Sequence, residues 1–321
     1  MVSAEAIIST VGLSHEEWLD HRRTGIGGSD AAAIVGLNPY RSRLEVYADK
    51  LGLIPEKEDS EAMRVGRDLE NYVAQRFMEA TGKKVVRSNT MWRSKEHPFM
   101  LADLDRRIVG ENAGLECKTT SVWNKTDFEG KEIPLTYYCQ CMHYMATCGF
   151  DRMYLAVLVL GKGFYWFTIE RDENEIASLV EAEREFWENH IEKQIPPEAD
   201  GSESSAVAVS ALNGRKNEPQ ETKLLYEVEE SLRNYTMLTA QIKELEKQAD
   251  ACKQTVMLYM GNNEYGETDG FKVTYKATAP RCDTSMIKSK YPQIYAECMK
   301  ASGSRSIRIT QIKNKEIRNG I

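Results

Sequence analysis

The 321-residue sequence has no long apolar run, no apolar leader and no regularly spaced cysteine pair. Without a stretch of about 20 apolar residues no membrane-spanning helix is expected. Without a leader the chain reads as cytoplasmic. Its seven cysteines fall at irregular spacing, which fits a reduced interior better than a disulfide framework. Cys139, Cys141 and Cys148 share one predicted helix, with Cys117 nearby in sequence, yet the absence of a CxxC pair leaves an iron–sulfur or zinc site without support. Positive charge is also short: 42 Lys and Arg against 49 Asp and Glu leave a net charge of −7, which argues against a simple basic surface for nucleic acid. The deficit is uneven. Residues 222–321 hold 16 basic and 12 acidic residues, whereas the first 221 hold 26 and 37, so positive charge that can meet phosphates gathers at the C-terminal end.

What is present centres on LADLDRRIVGENAGLECKTTS, where Asp105 is followed by Glu116, Cys117 and Lys118. Met100–Asp105 and Arg107–Val109 read as strand, residues 110–114 as a Gly/Asn turn, and Leu115–Thr120 as the returning strand. Side chains two apart on a strand share a face, so Glu116 and Lys118 point one way and Cys117 the other, with Asp105 across from them. Two carboxylates and an ammonium on adjacent strands suit metal-dependent phosphodiester hydrolysis. Alone, the same pattern is more often a cross-strand ion pair on a solvated sheet face.

Three further segments bear on that choice. In AMRVGRDLENYVAQRFMEATG, Val65, Leu69, Val73 and Phe77 recur at helical spacing, Gly82 is a stop, and Glu70 sits beside the apolar stripe, where it either reaches over the sheet as a third ligand or pairs with Arg67 or Arg76. Downstream, a helix with Tyr137, Gln140, Tyr144 and Met145 ends at Gly149. Met153–Leu160 then form a strand buried on both faces, and Phe164–Ile169 return. Gln140 can hold a water or a phosphate, and His143 reads as a satisfied interior histidine. Near the start, RRTGIGGSDAAAIVG places Arg22 and Arg23 before a glycine-rich entry to an alanine-rich helix, with Ser29 or Asp30 as its N-cap, an arrangement that suits a phosphate. It lacks the lysine of a Walker A loop and the glycine spacing of a dinucleotide fingerprint.

In this order, RRTGIGGSDAAAIVG, GRDLENYVAQRF, ADLD with GLECKTTS, and YYCQCMHYM resemble the YqaJ-like viral recombinase family, phage-type alkaline exonucleases related to lambda exonuclease within the PD-(D/E)XK nuclease superfamily. The resemblance spans residues 18–173. It implies an α/β restriction-endonuclease-like core, a mixed central sheet flanked by helices. It also implies that Glu70, Asp105 and Glu116 bind divalent metal with the Cys117 carbonyl as a further ligand, and that Lys118 positions or activates the attacking water. Gln140 matches the glutamine after the core motif, and Arg22 and Ser29, with Asp30 beside them, match positions expected to contact a DNA phosphate. Leu104-Asp105 replaces the family's usual Pro-Asp and a second acid, Asp103, lies two residues earlier, so either Asp can be the ligand, with Asp105 preferred.

Hard oxygen donors select Mg²⁺ or Mn²⁺. A two-ion site, with ions roughly 3.5–4 Å apart, activates water and stabilises the leaving oxygen, and its charge is expected to push the Lys118 ammonium down. The resemblance implies a 5′ to 3′ exonuclease on linear double-stranded DNA ends that prepares single-stranded tails for a phage annealing protein, assembled as a homo-oligomer, by analogy a trimer. The competing reading is a non-catalytic or endonucleolytic DNA-binding scaffold of a recombination complex.

The expected domains are a nuclease at 1–198, a linker at 199–221 rich in small and polar residues, and a C-terminal unit at 222–321. In that unit Leu225, Val228, Leu232, Tyr235, Leu238, Ile242 and Leu245 begin a three-and-four repeat reaching Tyr259, with one irregular step near Tyr235, a coiled-coil seam or one arm of a helical hairpin. Gly261 ends it, and GFKVTYKAT and SRSIRIT read as two strands around a helical piece at Thr284–Met299.

Overall fold

The computed structural model describes residues 3–55, 59–121, 132–214, 226–277 and 282–299. The chain divides after Gly214 into two compact units.

In the first unit a mixed sheet runs in the order β3 (Val85–Arg87), β6 (Arg106–Ile108), β7 (Ala113–Thr120), β8 (Arg152–Val159), β9 (Gly163–Glu170). Only β7 and β8 are parallel, in register from Ala113 opposite Arg152 to Thr120 opposite Val159. Parallel neighbours need a crossover, and α5 (Leu135–Cys148) lies within it, stopped by Gly149 at φ 68°. The alternation expected of a doubly buried strand is there: Met153, Leu155, Val157 and Val159 of β8 join the cluster built on α5, whereas Tyr154 and Ala156 join the one on the other face, around Val73, Ala74 and Phe77 of α4 (Glu61–Thr81). Gly82 ends α4 at φ 71°, in the left-handed region that glycine enters without a Cβ penalty.

A second sheet orders β1 (Ala4–Ser9), β4 (Thr90–Ser94), β5 (Met100–Asp103) and β2 (Ile26–Gly27). The continuous strand expected from Met100 to Asp105 is thus divided: β5 ends at Asp103 in this sheet and β6 begins at Arg106 in the other. The corner is pinned from both sides. Leu104 is buried in the α5 core, and the Asp105 carboxylate accepts the Cys117 N–H at 2.7 Å.

Helices α1 (His15–Arg23), α2 (Gly28–Ile34), α3 (Arg43–Lys50) and α6 (Glu173–Phe186) complete the layers, α6 running into a π-helical turn at Trp187–Ile191. Residues 199–214, expected as the first part of a linker, contain α7 (Glu203–Asn213). Its alanines favour helix, Ser202 caps it, Ser205 and Ala208 are buried, and Ser204 Oγ bonds the Ser42 and Glu45 side chains next to α3. The first unit therefore runs on to Gly214, and residues 215–221 lie outside the described set.

The second unit contains α8 (Tyr226–Met260), 35 residues long, a hairpin of β10 (Tyr265–Glu267) and β11 (Lys272–Thr274), and two short helices, α9 (Thr284–Lys290) and α10 (Pro292–Cys298). The strand expected in GFKVTYKAT is β11, but its partner is the unforeseen β10; SRSIRIT lies outside the described residues. The single helical piece expected at Thr284–Met299 is interrupted at Tyr291, where Pro292 starts the second helix. No described helix is long and apolar enough to cross a membrane.

His143 of α5 is fully buried, its Nδ1 donating to Glu183 Oε1 at 2.8 Å and its Nε2 to the Leu101 carbonyl at 2.8 Å, so it ties α5 to α6 and β5. Burial opposes the imidazolium, but the Glu183 carboxylate and these hydrogen bonds outweigh it and raise His143 above the ordinary 6.5. The stabilisation from a raised histidine is complete below its unfolded value and disappears as pH climbs through the folded one. Thermal unfolding followed by circular dichroism should therefore show stability falling as pH rises above 6.5, and His143→Gln should remove that slope.

Candidate active site

The period-two alternation of β7 sends Ala113, Leu115 and Cys117 toward α4 and Glu116 and Lys118 toward α5. Glu116 is buried. Its Oε1 accepts Lys118 Nζ at 2.6 Å and Gln140 Nε2 at 2.8 Å, while Oε2 is buried with no hydrogen-bond partner. Gln140 also donates to Tyr144 Oη at 3.1 Å, and Tyr144 in turn donates to the Asp103 carbonyl at 3.0 Å. Gln140 thus holds a carboxylate in this structure, where the sequence suggested a water or a phosphate.

Asp105 stands at the corner between the sheets with Oδ2 on the Cys117 N–H. In an extended strand one residue's N–H and C=O point to the same edge, so the Cys117 carbonyl faces the Asp105 side. Asp103 Oδ2 accepts Trp18 Nε1 at 2.8 Å, and its charge adds to those that raise the Glu116 carboxyl. Glu70 on α4 pairs with neither Arg67 nor Arg76. It accepts Arg106 Nη1 at 2.5 Å, and the buried Arg106 guanidinium also donates to the Asp105 carbonyl at 2.7 Å and to Asn71 Oδ1 at 2.5 Å. Arg106 went unnoticed in the sequence because nothing in Asp-Arg-Arg distinguishes it from Arg107. The signal that separates them is the alternation that turns Arg106 and Ile108 inward.

Burial, then the Glu116 charge, pushes the Asp105 carboxyl well above its usual range, and burial raises Glu116 too in spite of Lys118. Burial acts against the Lys118 ammonium, but Glu116 and Asp105 prevail and raise it above its ordinary value. That is opposite to the lowering expected from metal charge, because in this arrangement the carboxylates are the charges that Lys118 meets. Among the described residues no three His, Cys, Asp or Glu side chains converge into a ready-made cage. The donor set still fits a hard divalent cation: a buried carboxylate at Glu116 with one oxygen without a partner, a half-buried one at Asp105, and a carbonyl on the same edge.

Residues of the glycine-rich entry come together elsewhere. Asp30 is neither an N-cap nor exposed. At the third position of α2 its Oδ2 accepts the Gly27 N–H at 2.9 Å, and its carboxylate, fully buried, meets Arg22 at 3.0 Å, Arg41 at 2.5 Å and Lys50 at 2.7 Å. Burial opposes the charge, yet these three cations hold Asp30 well below the usual carboxylate range; Lys50 is brought down to about 8 by burial, against Asp30. Asp30 therefore orients cations, and its burial removes it from the residues that can touch a phosphate. Arg22 Nη2 also donates to Ser29 Oγ at 2.6 Å, so those two lie together. Arg41 and Lys50 carried no sequence signal.

Residues 17–151 match the family model described as a YqaJ-like viral recombinase domain. The uncharacterized protein YqaJ of Bacillus subtilis (strain 168) is 37% identical over 316 residues, 96% of this chain and 98% of that one. Among solved structures, the alkaline exonuclease LHK-Exo from Laribacter hongkongensis aligns with 24% identity over 56% of this chain and 95% of its own, at a TM-score of 0.45. A phage related exonuclease from Haemophilus somnus 129PT aligns with 12% identity over 53% and 96%, at 0.42.

The two clusters touch at Gly28. A Cβ there would lie 2.7 Å from Tyr144 Cε1 and 3.0 Å from Gln140 Cγ. Gly28→Ala should cost about 1–3 kcal/mol in urea unfolding as the ring and amide are displaced, and the same variant should lose activity through the disturbed Glu116.

Proposed function

This chain belongs to the YqaJ-like viral recombinase family, and we propose that it is a metal-dependent DNA exonuclease with a PD-(D/E)XK site, acting 5′ to 3′ on linear duplex ends. The observation that carries the reading is the buried Glu116 carboxylate, with one oxygen held by Lys118 and Gln140 and the other unpartnered beside Asp105. Two Mg²⁺ or Mn²⁺ ions would supply water activation and charge stabilisation of the leaving oxygen. Asp105, Glu116 and the Cys117 carbonyl would hold them, joined by Glu70 once it leaves Arg106. Lys118, kept charged by its neighbours, orients the attacking water and offers a proton-bearing group next to the scissile phosphate. Gln140 fixes the rotamer of Glu116, and Arg106 sets the distance of α4 from the Asp105 corner. Arg22 and Ser29 are the groups that would meet the terminal 5′ phosphate, a bidentate guanidinium contact that suits a dianion.

In this reading the product is a single-stranded tail for a phage annealing protein, and the enzyme works as a homo-oligomer in the host cytoplasm. Lys118→Ala should lower hydrolysis of linear duplex DNA by about 10²–10⁴-fold while a gel-shift assay shows DNA still bound. Chelation by EDTA should abolish cleavage, with Mg²⁺ or Mn²⁺ restoring it. With substrates labelled at each end, release from the 5′ end is expected and covalently closed circles should survive. Cutting of circles would overturn the exonuclease reading, and release from the 3′ end would overturn the polarity.

A further inference from the structure

Helix α8 is exposed along nearly its whole length, including its apolar seam: Tyr235, Leu238, Ile242, Leu245, Val256 and Tyr259 are 43–89% accessible. A helix of 35 residues draws its stability from packing such a stripe, and an exposed apolar strip of this extent marks an interaction surface. From Tyr235 to Tyr259 the stripe keeps a seven-residue repeat, and ahead of it Leu232 stands one position off the second row, where Ser231 lies. Val228, Tyr235, Ile242, Ala249 and Val256 stand seven apart, and Ser231, Leu238, Leu245, Cys252 and Tyr259 form the second row three residues on. Such a repeat keeps one narrow seam facing one partner helix.

We propose that the occupant of this seam is α8 of a second copy, paired antiparallel and centred between Lys243 and Glu244. Side-chain size selects this arrangement. In an in-register parallel pair every layer would face itself, setting Tyr235 on Tyr235 while Ser231, Ala249 and Cys252 each leave a void, which costs contacts that the interior of a protein normally keeps. In the antiparallel pair a residue of one row meets one of the other. Tyr235 faces Cys252, Leu238 faces Ala249 and Val256 faces Ser231, large against small each time, and Ile242 meets Leu245 at the two-fold axis. Charge rejects the neighbouring register. A shift of one heptad toward the C-terminus brings Glu246 onto Glu246 of the other copy, and one toward the N-terminus carries Val256 and Tyr259 past the start of the other α8 at Tyr226, whereas the proposed register sets Glu246 against Thr239 and Lys253 against Leu232, whose apolar side chain the lysine stem can cover. The overlap then runs the full seam, roughly 45 Å at 1.5 Å per residue, long enough to reach the roughly 1,200–2,000 Å² of a stable pairing.

The test uses the full-length chain with the exposed Cys282 and Cys298 changed to serine. Sedimentation equilibrium should show the assembly mass halved by Ile242→Asp, and unchanged by Lys243→Glu on the flank of the seam. In the same background, Tyr235→Cys treated with copper(II) phenanthroline should give a covalent dimer. Two thiols lose two protons and pass two electrons to the copper oxidant as one S–S bond forms, and peptide mapping should join position 235 to Cys252. Those positions are roughly 25 Å apart on one helix, so the link cannot form within a chain. An assembly mass insensitive to Ile242→Asp means that the chain's own residues or another partner cover the seam, and overturns the proposal. A Cys252–Cys252 link in the parent chain overturns the antiparallel pairing.

Discussion

The rest of the first unit is arranged around the need to keep a carboxylate, Glu116, buried without a full set of hydrogen-bond donors. An ionised group in that position is costly unless it is paired, and the pairing here comes from two elements. Lys118 arrives from the same strand two residues on, and Gln140 arrives from α5, which can lie over β7 because β7 and β8 are parallel and the chain must cross the sheet between them. The remaining deficit is one unpartnered Glu116 oxygen, with the Glu116 charge acting on the half-buried Asp105. Stability alone would favour an apolar residue at this point, and the deficit is the part of the arrangement that the proposed metal site would use.

A second buried carboxylate, Asp30, is handled in the opposite way. It is over-supplied, with Arg22, Arg41 and Lys50 around it. The two environments meet where Gly28 allows α2 to approach Tyr144 and Gln140. A cluster of carboxylates met by Lys118 and Arg106 and a cluster of cations wrapped on Asp30 thus share a wall of side chains.

What could be read from the sequence followed from local periodicity. The sharing of a face by Glu116 and Lys118, the helix bearing Glu70, the stops at Gly82 and Gly149 and the buried β8 strand all depend on residues within a few positions of each other. The break between β5 and β6 was not legible because strand pattern continues through Leu104 while the chain changes sheets. Helix α7 was hidden because small residues serve a loop and a close helix contact equally well. The roles of Arg106, Arg41 and Lys50 depend on groups distant in sequence, such as Lys50 on Asp30, and composition does not select one basic residue among 42.

The two faces of β7 carry different tasks, apolar packing under α4 and polar chemistry under α5. A strand of this kind tolerates a change of residue far better than a change of length. One residue inserted or deleted between Ala113 and Glu116 would turn Cys117 toward α5 and drive Glu116 and Lys118 into the α4 core. Variation in chain length has to be absorbed outside the strand, in the turn at 109–112 before it or in the crossover after it, so spacing, and not identity alone, is what the site inherits.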